Sequence, residues 1–159
     1  MSELQELMER VRRLEDEREI ARIIASYGPA VDAADADVAA GLWTEDGSYD
    51  VEGWTMSGRG EIHDMVRSSS HRGLVDAGCS HFLGPAVVTL DGDTAVAVCE
   101  SVVLVRNEGD YTVWRAAANH FELARTPQGW RISRRTTRLL DGNEMAHRLL
   151  RRGLAGEPL

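Results

Sequence analysis

The chain has only two cysteines, Cys79 and Cys99, and they lack metal-type spacing. Neither a disulfide framework nor a thiolate metal site is expected, and both residues read as reduced, packed thiols. No stretch approaches the roughly 18 apolar residues of a membrane-spanning helix, so no membrane partner is expected. The opening residues Met1-Ser2-Glu3-Leu4 lack the basic start and apolar core of a signal peptide, which makes the cytoplasm the expected location. Positive charge is not in excess either. A net charge of −8 and a pI near 5.1 disfavour nucleic acid, which needs a basic face to neutralise phosphates. The one arginine-rich segment, Arg131 to Arg138, would be divided between two faces by strand alternation. A glycine-rich phosphate loop, a nucleophile elbow, internal repeats and low-complexity tracts are also missing.

The 159 residues suit one domain, residues 1–159, large enough to bury about two thirds of the surface of its unfolded form. Leu4, Leu7, Met8, Val11, Leu14, Ile20, Ile23, Ile24 and Tyr27 recur at helical spacing with charges between them. They predict a long amphipathic helix, capped by Ser2, with one face seeking a core. Gly28-Pro29 should kink it, because proline has no N–H to donate and crowds the preceding turn. A short helix is expected over 35–43, a turn at Thr44-Glu45-Asp46-Gly47, a hairpin of strands at 48–51 and 54–57, and a third helix over 60–67. The polar stretch Ser68 to Gly73 reads as a flexible loop of the kind that lies over pockets.

From His81 the pattern changes to period two and β-branched residues. Strands are expected over 81–90, 94–106, 111–125 and 130–139, with turn signals at Asp91-Gly92-Asp93, Asn107 to Asp110 and Thr126-Pro127-Gln128-Gly129. Such short connections require antiparallel neighbours. Helices followed by a curved antiparallel sheet define an α+β domain, with the helices packed on one face to leave a cone.

Two residues draw the chemistry together. Asp32 continues the apolar helix face of Ile24, Tyr27 and Val31, and His81 opens the strand region. Read alone, an aspartate in this position is more often a helix-terminal cap or a solvated residue. An inward carboxylate, however, needs a hydrogen-bonding partner, and an imidazole so paired becomes a general base usable near neutral pH. Alternation places Asn119 with Ala117, Phe121 and Leu123 on the inner face and His120 outside, and it puts Glu100 outside as well. On the last strand, Trp130, Ile132, Arg134, Thr136 and Arg138 share a face that Trp130 and Ile132 mark as buried.

Tyr27-Gly28-Pro29-Ala30-Val31-Asp32, then Trp43-Thr44-Glu45-Asp46-Gly47, then His81 and the strand opened by Gly129-Trp130-Arg131-Ile132 resemble the SnoaL-like branch of the NTF2-like superfamily. That branch contains polyketide cyclases, scytalone dehydratase, bile acid 7α-dehydratase and the lindane dehydrochlorinase. The resemblance runs from about Leu14 to Gly142 and implies a cone-shaped fold around one pocket. It also implies that Asp32 and His81 are the catalytic pair, and that Tyr27, Tyr49, Trp54, Asn119 and Arg138 contact substrate. Tyr27 and Tyr49 read equally as core aromatics with a hydroxyl at the rim, and Arg138 as half of an ion pair.

The chain departs from the dehydratases where they carry a further acid or histidine, because Val103 and Val105 stand there. One base with few proton donors suits proton abstraction better than expulsion of a poor leaving group. The expected activity is a cofactor-independent, dehydratase-like lyase or isomerase acting on a small apolar molecule, steroid-like or polyketide-derived. The other class is a non-catalytic binding or assembly module of the same fold. Epoxide hydrolysis would need an Asp-Arg-Asp set that cannot be assembled, and no third and fourth metal ligands stand out. Trp114, read on the outer sheet face, would be covered in a homo-oligomer, a trimer or a dimer. Residues 143–154, with Met145, Leu149 and Leu150 on one stripe, should form a helical clasp over the pocket mouth.

Overall fold

The computed structural model describes all 159 residues, Met1–Leu159. Helix α1 (Glu3–Asp32) opens on a capping box in which Ser2 and Gln5 satisfy each other's backbone N–H groups. It passes Pro29 without ending and stops at Asp32. Helix α2 (Ala36–Gly41) is shorter than expected, and β1 (Trp43–Val51) and β2 (Trp54–Ser57) form the hairpin. The anticipated turn at 44–47 is an irregular stretch inside β1. Helix α3 (Arg59–Arg67) is followed by α4 (Ser69–Ala77), so the expected flexible loop is a helix, capped by the Ser68 hydroxyl accepting from the His71 N–H. The single strand expected over 81–90 is two, β3 (Cys79–Leu83) and β4 (Val87–Asp91), because Gly84-Pro85 interrupts the ladder while both segments pair with the same neighbour. The long strands β5 (Thr94–Asn107), β6 (Asp110–Thr126) and β7 (Gly129–Leu139) precede α5 (Glu144–Leu154).

The sheet order is β2-β1-β7-β6-β5-β3, with β4 also on β5; only the β1–β7 pair is parallel. This is an α+β fold in which helices α1–α4 gather on the hollow side of a curved sheet and α5 packs on its other face. Ile20, Ile24, Tyr27 and Val31 of α1 join Phe121, Leu123, Trp130 and Ile132 in the main core. No helix is long and apolar enough to cross a membrane.

Two β-bulges decide which residues face inward. On β7, Ile132 pairs with Leu123 and Arg134 with Glu122, so Ser133 is an extra residue. On β6, Val113 pairs with Leu104 and Arg115 with Val103, which makes Trp114 the extra one. A one-residue insertion moves every later side chain to the other face. Beyond Ser133, therefore, Arg135 and Thr137 point inward, not Arg134 and Arg138, and Trp114 turns toward the cavity mouth instead of the outer face.

Two further expectations are corrected. Helix α5 lies across the outer face of the sheet, where Ala146 and Leu149 meet Ala118 and Gly153 meets Val98, and it does not cover the mouth. Its apolar stripe needed a surface, and the small side chains of that outer face supply one. Nor does the first half of α1 reach the core: Leu4, Leu7, Met8, Val11 and Leu14 are all exposed. At 100° per residue their stripe points about half a turn away from Ile20, Ile24 and Tyr27, so the helix has two apolar faces rather than one.

Candidate active site

The end of α1 and the middle of β3 meet at the cavity wall. Gly28 has no side chain and lets β3 cross α1 at backbone contact. Asp32, one turn on, then faces β3. Its Oδ1 lies 2.6 Å from Nδ1 of His81, and its Oδ2 accepts the His81 backbone N–H at 2.7 Å. The double contact fixes both the strand and the ring. An acceptor at Nδ1 places the proton of a neutral imidazole there and leaves Nε2, which makes no hydrogen bond within the protein, with its lone pair. Burial pulls the His81 pKa below its ordinary value, and the Asp32 carboxylate opposes that pull. The ring is therefore neutral at pH 7, in the form that accepts a proton.

Cys79 completes the cluster, a contact no sequence signal disclosed. Its thiol donates to Asp32 Oδ1 at 3.5 Å, and burial, with Asp32 adding to it, pushes its pKa up to about 11. Ligand-type atoms of Asp32, Cys79 and His81 all lie within 4.8 Å of one another. With the thiol protonated, the trio works as a hydrogen-bonded set around one carboxylate.

His81 opens onto a cavity of about 550 Å³, lined by Tyr27, Tyr49, Leu83, Val103, Arg135 and other, mostly hydrophobic, residues. A space of this size fits a small organic molecule. Tyr27 and Tyr49 line it with their rings packed edge to face, centroids 6.1 Å apart. Burial, with a further contribution from Tyr49, raises the Tyr27 pKa, so its phenol stays a donor. Trp54 lines the cavity but is largely exposed and stands at the mouth, as does Trp114.

Asn119 and Arg138 lie elsewhere than the sequence suggested. Asn119 is fully buried behind the wall, donating to Ser101 Oγ at 2.8 Å and accepting from Arg135 Nη2 at 2.7 Å and Thr137 Oγ1 at 2.8 Å. It holds Arg135 instead of lining the space. Arg138 is on the other face in a two-toothed pair with Asp50, at 2.7 and 3.0 Å, because the Ser133 bulge reversed its parity. That reversal delivers Arg135, which is 2 % exposed, with its guanidinium carbon 4.2 Å from the Tyr27 ring centre and 4.4 Å from that of Tyr49. Counting back from an arginine-rich strand with a bulge at Ser133 would have found it, but no local signal marks the bulge.

His71 is the other residue missed. It lines the cavity from α4, its Nε2 donates to the Val31 carbonyl at 2.7 Å, and its ring lies 5.9 Å from that of His81. It falls in the stretch that reads as a loop, and only the folding of α4 against α1 brings it beside His81.

The SnoaL-like domain matches residues 12–136, and the chain belongs to that family. Its structure is similar to that of an NTF2-like protein with a cystatin-like fold from Novosphingobium aromaticivorans, at 47% identity over 94% of this chain and 98% of that one, TM-score 0.92. A proposed aromatic ring hydroxylase from the same organism shares 25% identity over 80% of this chain and 90% of its own, TM-score 0.68. A proposed scytalone dehydratase from that organism, at 16% identity over 80% and 85% with TM-score 0.66, shares the fold. No curated protein matches the chain.

Proposed function

We propose that the protein is a cofactor-independent lyase or isomerase in which His81 removes a proton from carbon next to an activating oxygen function. The observation that carries this reading is the Asp32–His81 bond at the wall of a largely apolar cavity, with Nε2 unengaged. Asp32 orients the imidazole and stabilises the imidazolium as it forms. Tyr27 and Tyr49 donate to the substrate oxygen that gains charge, and Arg135 stabilises that charge from behind the phenols. The apolar walls suit a polyketide-derived or steroid-like carbon skeleton. The dehydratase-like relative supports the reading at the level of fold.

The test needs no product in hand. A panel of cyclic ketones and hydroxyketones incubated with the protein in deuterium oxide should show enzyme-dependent exchange of an α-hydrogen by NMR. His81→Ala should abolish it, and Asp32→Asn should reduce it on the order of a hundredfold. Exchange that survives in His81→Ala would move the base elsewhere.

A second reading, an assembly subunit, has its own observation. Phe82, Val113 and Tyr111 are exposed, and a similar structure, at 23% identity, is described as the beta subunit of a proposed aromatic-ring-hydroxylating dioxygenase. Such a patch suits a protein neighbour, and we assign it to a homo-oligomeric contact that is compatible with the enzyme reading.

A further inference from the structure

The residues that line the cavity include Arg115, Arg135, His71 and His81 and not one aspartate or glutamate. This in a chain of net charge −8 is not a residue of basic composition. Asp32 sits behind His81 and is taken up by three donors. The one acid near Arg115, Glu52, is 3.9 Å away at the surface.

Arg135 is the sharper case. Asn119 Oδ1 accepts from Nε at 3.2 Å and from Nη2 at 2.7 Å, while Nη1 is buried without any partner. No carboxylate forms an ion pair with this guanidinium. The aromatic faces of Tyr27, Tyr49 and Phe121 supply partial compensation, but a buried cation with no counter-charge and an empty donor costs the folded state several kcal/mol in general. Such an arrangement is relieved when the counter-charge arrives with a ligand.

We infer that the cavity selects a small apolar molecule carrying a carboxylate, which Arg135 recognises together with the hydroxyls of Tyr27 and Tyr49. This deepens the reading of the cavity as a substrate site. With Nε and Nη2 taken by Asn119, Nη1 is the nitrogen left to donate to a carboxylate oxygen, in a charge-assisted hydrogen bond. The same cation would then stabilise charge that develops when His81 takes a proton.

The test is binding, so it stands apart from turnover. Calorimetric titration with 1-naphthoate and its neutral isostere 1-naphthamide should show the carboxylate binding at least about tenfold more tightly. Arg135→Gln should erase that preference, Arg135→Lys should retain part of it, and His81→Ala should keep it while losing proton exchange. Naphthoate alone should also raise the melting temperature of the wild type, a readout that holds even where Arg135→Gln folds poorly. Equal affinity for the two probes, no binding of naphthoate, or a preference that survives in Arg135→Gln would overturn the inference.

The N-terminal half of α1 carries a separate feature. Residues 1–15 are all exposed, and Leu4, Leu7, Val11 and Leu14 follow a 3-4-3 spacing, the a and d positions of two heptads. Because this stripe faces away from the domain body, a second helix can lie along it with both bodies outside. Charge selects the orientation. In a parallel pair Arg10 meets Glu15 of the other helix on both sides, whereas an antiparallel pair would oppose Arg10 to Arg10. The geometry points to a parallel two-stranded coiled coil between second copies of this chain. It is short, but its continuity with the anchored half of α1 removes the cost of nucleating it.

A Leu7→Cys variant should form a disulfide-linked dimer on mild oxidation, since identical d positions meet in a parallel pair. Leu7→Arg combined with Val11→Arg should lower the mass measured by light scattering, with the melting temperature of the domain retained because both sites are exposed. A Leu7→Cys chain that stays monomeric on denaturing gels, or an unchanged mass in the arginine variant, would overturn this second proposal.

Discussion

Gly28 lies directly under the carbonyl of His81: a Cβ at that position would stand 2.0 Å from the carbonyl oxygen. No backbone shift of a few tenths of an ångström relieves such a clash, so α1 and β3 must separate if a side chain is added. Gly28→Ala should destabilise the protein by about 3 kcal/mol, at the upper end for overpacking, measured by urea denaturation. The same change should loosen the Asp32–His81 bond, seen as a shift of the His81 ring resonances. A variant with wild-type stability and resonances would show that the crossing is slack.

The pH behaviour of His81 follows from its surroundings. Burial lowers its pKa below the ordinary 6.5 and Asp32 partly restores it. In an NMR titration the ring should therefore take up its proton only below pH 6.5. Proton-abstracting activity should be constant above that point and fall as the pH drops through the His81 value. Asp32→Asn removes the raising influence and leaves burial in place, so the midpoint should move further down. An upward shift would reverse the account of which effect dominates.

Thr137 and Arg135 share one acceptor, Asn119 Oδ1, so losing Thr137 and losing Asn119 have different consequences. Thr137→Val removes a single donor from Asn119 Oδ1 while Arg135 keeps both of its contacts, so a loss of about 1 kcal/mol is expected. Asn119→Leu strands the guanidinium without an acceptor and should cost about 3 kcal/mol or more. It should also weaken binding of anionic ligands, because Arg135 loses its support. Equal destabilisation by the two changes would contradict the assignment of Asn119 as the residue that positions Arg135.

Asp16 ties α1 to the sheet through Arg125, at 2.8 and 2.9 Å, and through the indole N–H of Trp130 at 2.9 Å. The Arg125 hydrogen bond holds its carboxyl below the ordinary 3.8. A depressed value stabilises the fold above the unfolded-state pKa and is lost as pH falls through the folded one. Asp16→Asn should thus cost about 2 kcal/mol at neutral pH, tempered by the partial exposure of Arg125. The gap from wild type should shrink below about pH 4. A gap that is constant with pH would show that the carboxylate charge contributes nothing.

The sequence by itself determined the fold class and most of the elements, though not helix α4 or the break between β3 and β4. Helical and two-residue periodicities, a capping Ser2, and turn residues at 91–93, 107–110 and 126–129 are local signals that separate a helical first half from a sheet-forming second half, whereas the pairing of Asp32 with His81 rests on the resemblance to the SnoaL-like branch. What the tertiary structure decided is which side each residue faces. Alternation counts correctly only while the ladder is unbroken, and the insertions at Ser133 and Trp114 exist because neighbouring strands pair out of step around a tight curve. Those insertions put Arg135 in the cavity in place of Arg138 and turned Trp114 to its mouth, while Asn119 keeps its inner face and is held behind the wall by Ser101, Arg135 and Thr137. Helix α5 and the first turns of α1 show the same limit: an apolar stripe announces that something must cover it, but only the arrangement of the whole chain decides whether that cover is the sheet, the cavity or another copy of the protein.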